Sequence, residues 1–276
     1  MTTMAMIESD QLSTASHAPP GPPTEPFFTA VQSSPQRLLL LDFDGTLAPF
    51  HPIRHHTRMY PGIAAVLDAM LQVAHSRIII ISGRSVTDLL PLLTLSRIPE
   101  IWGSHGGERR FPDGQMVHPL LDQQSQAALI EIHAWARNKG WAGQIDQKPA
   151  GIAFHWRGLP CAEQAAMASA ILATWQRLLA PTRLTLHAFD GGLEIRPRDH
   201  HKGQAVQQIL AELQAPAFVT YLGDDLTDED AFRAIQGSGH SILVRDSYRP
   251  TVARFWLRPP TQLHYFFDAW HRAAAR

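Results

Sequence analysis

Two carboxylates stand two residues apart, Asp42 and Asp44, inside the phrase LLLLDFDGTL of residues 38–47. An aspartate presented at the end of a buried strand can attack phosphorus and become an aspartyl-phosphate. Side chains alternate along extended backbone, so an acid two residues further on faces roughly the same way. From there it can protonate a departing alkoxide and later take a proton from the water that clears the intermediate. Gly45 permits close backbone approach, and the N–H groups around Gly45 and Thr46 can cradle phosphate oxygens. An Asp-Gly pair alone is an ordinary turn. The aliphatic run followed by Asp-X-Asp-Gly-Thr is far more specific.

Such chemistry needs a scaffold that brings several loops to one place. The aliphatic run ending at Leu41 predicts a strand covered on both faces. PGIAAVLDAMLQVA predicts a helix with Pro61 in its first turn, and RIIIIS (77–82) a second buried strand. SVTDLLPLL opens with Ser85 and Asp88 at capping-box spacing, and IPEIW reads as a third strand. The alternation resumes near the C-terminus, with helices KGQAVQQILAEL and TDEDAFRAI and strands AFVTYLG and SILV. Strand-helix alternation of this kind implies a parallel sheet with helices on both faces.

The middle of the chain is different. RRFPDGQMV and LTLHAFDGGLEI predict hairpins around Asp-Gly turns, and GQIDQ and GIAFHWR predict two more strands. Two long amphipathic helices accompany them, the first ending at Gly140. The expected fold is therefore α/β: a doubly wound, Rossmann-like parallel-sheet core of residues 31–110 and 197–276, with an inserted α+β domain at 111–196. Residues 1 to about 30, rich in Pro, Ser, Thr and Ala, read as a flexible tail. Ligands of a doubly wound sheet bind beyond the carboxyl ends of its strands. Asp42, Ser82, Gly103–His105 and Asp224 each come directly after a predicted strand, so they converge on one edge.

Composition narrows the partners. Across 276 residues, 24 Lys plus Arg balance 25 Asp plus Glu, which leaves no basic stripe for nucleic acid. The 15 His show no Cys/His zinc pattern, and Cys161 stands alone, as expected in a reducing cytoplasm. No apolar stretch has the length of a membrane span, and the N-terminus lacks the basic and apolar regions of a signal peptide. A small-molecule substrate is the expected partner, with a monomer as the default state.

The Asp42–Asp44 phrase resembles the first motif of the haloacid dehalogenase superfamily of phosphotransferases. Ser82 in IISGRS matches the phosphoryl-binding hydroxyl of its second motif, and Lys202 in RDHHKGQA the lysine of its third. LGDDLTDEDAF (222–232) matches the fourth. Thr227 and Asp230 have capping-box spacing, which accounts for the later acids of that segment but not for Asp224 and Asp225 directly after a strand. The resemblance implies a Mg²⁺ ion, which favours hard oxygen ligands and keeps several waters. Asp42, the backbone carbonyl of Asp44 and Asp224 are its expected protein ligands, with Asp228 acting behind them on waters or Lys202. Gly45, Thr46, Gly83, Arg84 and His105 are the expected substrate neighbours from the core.

The short interval between the first two motifs leaves no room for a cap, whereas the long one from Ser82 to Lys202 does. Within the relatives so arranged, QIDQKPAGIAFHWR (144–157) is similar to a cap segment of trehalose-6-phosphate phosphatases. The matching positions are Asp146, Lys148, His155 and Arg157, and GLEIRP adds Glu194 as a sugar-binding residue. Asp146 stands where the family pattern has the longer Glu. The resemblance implies Mg²⁺-dependent hydrolysis of a phosphorylated disaccharide, trehalose 6-phosphate, through an aspartyl-phosphate. Phosphatases of sucrose phosphate or mannosyl-3-phosphoglycerate share the core and have a similar cap. A non-catalytic carbohydrate sensor is the rival of another class.

Overall fold

The computed structural model describes residues 19–276 except 52, 119 and 190. The chain passes through α1 (Glu25–Ser33), β1 (Arg37–Leu41), α2 (Ile63–Met70), β2 (Ser76–Ile81), α3 (Val86–Leu89), β3 (Glu100–Gly103), β4 (Glu108–Arg110) and β5 (Met116–Val117). Next come α4 (Gln123–Asn138), β6 (Ile145–Lys148), β7 (Gly151–His155), α5 (Cys161–Leu178), β8 (Leu184–Phe189) and β9 (Gly192–Pro197). It closes with α6 (Lys202–Ala211), β10 (Phe218–Gly223), α7 (Glu229–Ala234), β11 (His240–Val244), β12 (Phe255–Leu257) and α8 (Thr261–Ala274). Two sheets result, an eight-stranded one ordered β12-β11-β10-β1-β2-β3-β4-β5 and a four-stranded one ordered β6-β7-β9-β8.

The large sheet is parallel from β12 to β3 and antiparallel at its β4–β5 edge. β1 lies between β10 and β2, and every residue of its Leu38–Leu41 run is buried. Leu39 and Leu41 pack into the layer that holds residues of α1, α2 and α8; Leu38 and Leu40 pack into the opposite layer with α6 and α7. Burial on both faces explains why the strand is aliphatic without alternation. The small sheet is wholly antiparallel and shares a separate core with α4 and α5, in which Trp135 and Trp175 meet edge to face at 5.5 Å.

Three expectations need correction. Residues 25–33 are a helix: Phe27, Phe28 and Val31 are buried in the large core, and the Phe27 ring meets Phe218 edge-on at 5.1 Å. Three apolar side chains at helical spacing outweigh a polar, proline-rich surround; the earlier part of the expected tail, 1–18, lies outside the described residues. The RRFPDGQMV hairpin does not belong to the inserted unit, because its strands β4 and β5 pair onto β3 and extend the large sheet. The chain therefore leaves that sheet after Val117. Pro61 precedes α2, whose N-cap is Gly62 in the left-handed region at φ +84°.

Candidate active site

Asp42 and Asp44 come after β1, Ser82 after β2, His105 after β3 and Asp224 after β10, all at the carboxyl edge of the large sheet. The four-stranded sheet faces that edge, and a cavity of about 570 Å³ lies between them. Asp42, Asp44, Lys202 and Asp224 line it from the core, and Asp146, Lys148, His155, Arg157 and Glu194 from the inserted sheet. A cavity of this volume suits a ligand of disaccharide size.

The Asp42 end is a buried ion network. Lys202, the first residue of α6, donates to Asp42 Oδ1 at 2.6 Å and to Asp228 Oδ1 at 2.8 Å. A cation at a helix N-terminus is ordinarily unfavourable; two carboxylates reverse the sign here. Burial works against the ammonium, yet Asp228 and Asp42 together hold it above the ordinary lysine range. Asp228 is fully buried and all its capacity is used: it also accepts from the Tyr221 hydroxyl and from the backbone N–H groups of Asp224 and Asp225. The capping box accordingly joins Asp225 and Asp228, not Thr227 and Asp230 as the spacing suggested. Both pairs are three residues apart, and the one nearer the strand end closes the turn.

Asp224 is the unspent acid. It is buried, its Oδ1 has no hydrogen-bond partner among the described residues, and its carboxyl is pushed well above the usual range by burial and then by Asp42 and Asp228. Asp42 is likewise pushed up to about 7, by burial against the opposing pull of Lys202. Carboxylate oxygens of Asp42, Asp224 and Asp228 all lie within 4.8 Å of one another. Crowded, dry, oxygen-only ligands with one orphaned atom fit a hard divalent cation. Gly45, at φ +87°, is required here, since a Cβ would stand 2.1 Å from the Asp224 carboxylate.

Several expected substrate neighbours also act on other side chains. Thr46 is fully buried and its hydroxyl donates to Asp42 Oδ2 at 3.2 Å, so it orients that carboxylate. Arg84 grips Asp44 with a two-pronged contact, Nε to Oδ2 and Nη2 to Oδ1, both at 2.6 Å, and also donates to Thr57. A planar fork on a carboxylate fixes its orientation. The same guanidinium borders the cavity. Ser82 is buried and its hydroxyl accepts from the Arg84 N–H at 3.1 Å. Gly83 leaves the space that the His105 ring fills; a Cβ would approach that ring to 2.7 Å.

At the other end, Glu194 is the hub. It is 2% exposed and accepts from Lys148 and from His105 Nε2 at 3.1 Å, with Arg196 Nε at 3.5 Å. Burial opposes its charge, but Lys148, His105 and Arg196 hold its carboxyl well below the usual range. Burial lowers His105 to about 3, so the ring is neutral; with Nε2–H given to Glu194, its buried Nδ1 remains an acceptor with no partner among the described residues. His105 itself adopts φ +58°, a left-handed conformation that histidine tolerates better than most residues. Asp146 and His155 both meet Arg54, and the Arg157 guanidinium lies 4.8 Å from the Phe50 ring centroid. Arg54 and Phe50 belong to the loop between β1 and α2, which no sequence motif marks. Its composition offers no periodicity, and the partners of Arg54 lie 92 and 101 residues away.

Comparison with known proteins accords with this geometry. The profile of the Trehalose-phosphatase family matches residues 40–257. A trehalose-phosphate phosphatase of Mycobacterium marinum is 31% identical over 247 residues, covering 84% of this chain and 60% of that protein. The chain thus spans about three-fifths of the length of such relatives. Among solved structures, the C-terminal domain of a C. albicans trehalose-6-phosphate phosphatase superposes with a TM-score of 0.75 at 21% identity, covering 94% of this chain and 99% of that one. A haloacid dehalogenase-like hydrolase from B. subtilis gives 0.59 at 14% identity, covering 84% and 99%. At these identities the structural likeness establishes the fold, that of the haloacid dehalogenase-like hydrolases.

Proposed function

Because the chain belongs to the trehalose-phosphatase family, we propose that it is a Mg²⁺-dependent phosphatase that hydrolyses trehalose 6-phosphate to trehalose and inorganic phosphate, a step of trehalose synthesis. The observation that carries this reading is the cavity joining a buried Asp42–Lys202 centre to the polar side chains of an inserted sheet. Asp42 attacks phosphorus and forms an aspartyl-phosphate while the bond to the sugar oxygen breaks. Asp44, aimed by Arg84 and protonated at the start of the cycle, gives its proton to that oxygen, then takes one from the water that attacks the phosphoryl-enzyme, which leaves Asp44 protonated and Asp42 a carboxylate again. Lys202, held by Asp228, places a positive charge beside Asp42 as the phosphoryl group arrives. Asp42, Asp224 and the Asp44 carbonyl would hold the Mg²⁺, which when bound neutralises phosphoryl oxygens. Lys148, His155, Arg157 and Glu194 meet the sugar, and the inserted sheet acts as a cap that excludes water.

No described helix is long and apolar enough to cross a membrane. A lone, exposed Cys161 thiol supports a cytoplasmic setting. The test is phosphate release from trehalose 6-phosphate, sucrose 6-phosphate, mannosyl-3-phosphoglycerate and p-nitrophenyl phosphate, each with and without EDTA. Preference for trehalose 6-phosphate, abolished by EDTA and restored by Mg²⁺, is the expected result. Preference for another sugar phosphate would transfer the assignment to that substrate. No metal-dependent turnover of any ester would leave the carbohydrate-sensor reading.

A further inference from the structure

Three contacts tie one core loop to the inserted sheet at the rim of the cavity. Arg54, in a short turn between β1 and α2, donates from Nη1 to Asp146 Oδ2 at 2.7 Å. The same Nη1 lies 2.7 Å from His155 Nε2. Burial, and next the Arg54 charge, lower His155 to about 4, so the ring is neutral and its Nε2 accepts. Four residues before Arg54, the Phe50 ring lies beside the Arg157 guanidinium, although it is 45% exposed to solvent. All three inserted-sheet partners line the cavity. Asp146 and His155 come from adjacent antiparallel strands, β6 and β7, so one guanidinium holds both strands from across the gap.

We propose that Arg54 is a specificity-determining residue for the sugar, acting from the core on Asp146 and His155 of the inserted sheet. Two features support this beyond the contacts themselves. A guanidinium has five N–H donors in a rigid fork; here Nη1 makes both contacts, and Nε and Nη2 have no protein acceptor among the described residues. Arg54 also lines the cavity, so its side chain borders the space a sugar would fill. An ion pair at the rim sets the orientation of Asp146, and a carboxylate held at a fixed angle discriminates between hydroxyl arrangements. Phosphorus chemistry runs at the other end, on Asp42 and Lys202, which Arg54 does not touch. The inference rests on the sugar-phosphatase reading and adds to it the residue through which core and cap jointly read the sugar.

The test compares Arg54→Ala, Arg54→Lys, Asp146→Ala and the Arg54→Ala/Asp146→Ala double variant on trehalose 6-phosphate and p-nitrophenyl phosphate. Removing a charge-assisted hydrogen bond that orients the sugar site should lower kcat/KM for the sugar phosphate by about 10- to 100-fold, chiefly through KM. Turnover of p-nitrophenyl phosphate should fall far less, Arg54→Lys should recover part of the loss, and the double variant should be little worse than either single one. Equal losses on both substrates, additive losses in the double variant, or an unchanged sugar preference in Arg54→Ala would overturn the proposal. If the wild-type protein prefers a different phosphorylated sugar, the trehalose assignment fails by itself; the same cycle on the preferred sugar still decides the role of Arg54.

Discussion

The two ends of the cavity are built on opposite plans. At the end proposed for phosphoryl transfer, Asp42, Ser82 and Asp224 stand just past buried strands and Lys202 is the first residue of α6. At the end proposed for the sugar, Asp146, His155 and Glu194 lie on antiparallel strands and have partners across the gap, Arg54 and His105, and Arg157 meets Phe50. The first plan gives a rigid charge arrangement that suits a group common to all phosphate esters. The second makes the site complete only while two sheets face each other. Chemistry and selectivity should therefore be separable by substitution.

The sharpest way to break that contrast is at Asp42. Asp42→Asn replaces the proposed nucleophilic carboxylate by an amide and leaves Lys202 its Asp228 partner, so the fold should persist. Turnover of trehalose 6-phosphate and p-nitrophenyl phosphate should both drop by at least about 10⁴-fold, measured as phosphate release. A variant that lost only the sugar substrate would place the nucleophile elsewhere. The next effect belongs to the other end. Glu194→Gln weakens the hub that Lys148, His105 and Arg196 share, and kcat/KM for trehalose 6-phosphate should fall by about 100-fold. The p-nitrophenyl ester, which has no sugar to grip, should lose far less. Parallel losses would mean that Glu194 serves folding or closure and would erase the distinction between the ends.

The same difference decides how far each end is legible in the sequence. Leu38–Leu41 announces a strand buried on both faces, and residues directly after such a strand in a parallel sheet must lie on its carboxyl edge. That reasoning brings Asp42, Ser82, His105 and Asp224 together without knowledge of any contact. It cannot find Arg54, because a proline- and histidine-rich loop carries no period and its partners are remote in sequence. Side-chain partners are not legible either: Arg84 and Thr46, expected against substrate, also hold Asp44 and Asp42. The β4–β5 hairpin is easily misplaced because antiparallel strands look alike in either sheet. β12 is three residues long, too short for its pattern to register.

Acid should separate the two ends in the metal-free protein. His155 on β7 and His187 on β8 are both lowered, chiefly by burial, to about 4. Between an unfolded histidine pKa of about 6.5 and these values the opened chain binds protons that the closed one refuses, so stability around the inserted sheet falls as pH drops. Asp42 behaves oppositely. Its carboxyl is raised to about 7, so the folded state holds the extra proton and gains stability as pH falls toward 4. Hydrogen exchange at pH 7 and pH 5, corrected for intrinsic rate, should show β6–β9 losing more protection than β1. Loss of protection in β1 first would contradict this assignment of the charged and neutral groups.

The smallest effect sharpens the comparison within the acidic loop itself, where spent and unspent carboxylates sit side by side. Asp225 caps the turn after β10: its side chain accepts from the Leu226 N–H at 2.7 Å, and its own N–H donates to Asp228. Among the described residues Asp230 makes longer contacts, at 3.4 Å to Arg233 and 3.9 Å to His201, and its side chain is 45% exposed. Asp225→Ala should therefore cost about 1 kcal/mol in urea unfolding, the usual cost of losing a cap. Asp230→Ala should remain within about 0.5 kcal/mol of wild type, as an exposed substitution does. Neither should abolish the proposed metal requirement, because Asp224 rather than these two carries the orphaned oxygen. If Asp230→Ala proved the costlier change, the helix would begin at Thr227 after all. Asp228 would then be less fully committed to Asp225 than its contacts indicate, and its hold on Lys202 would need another explanation.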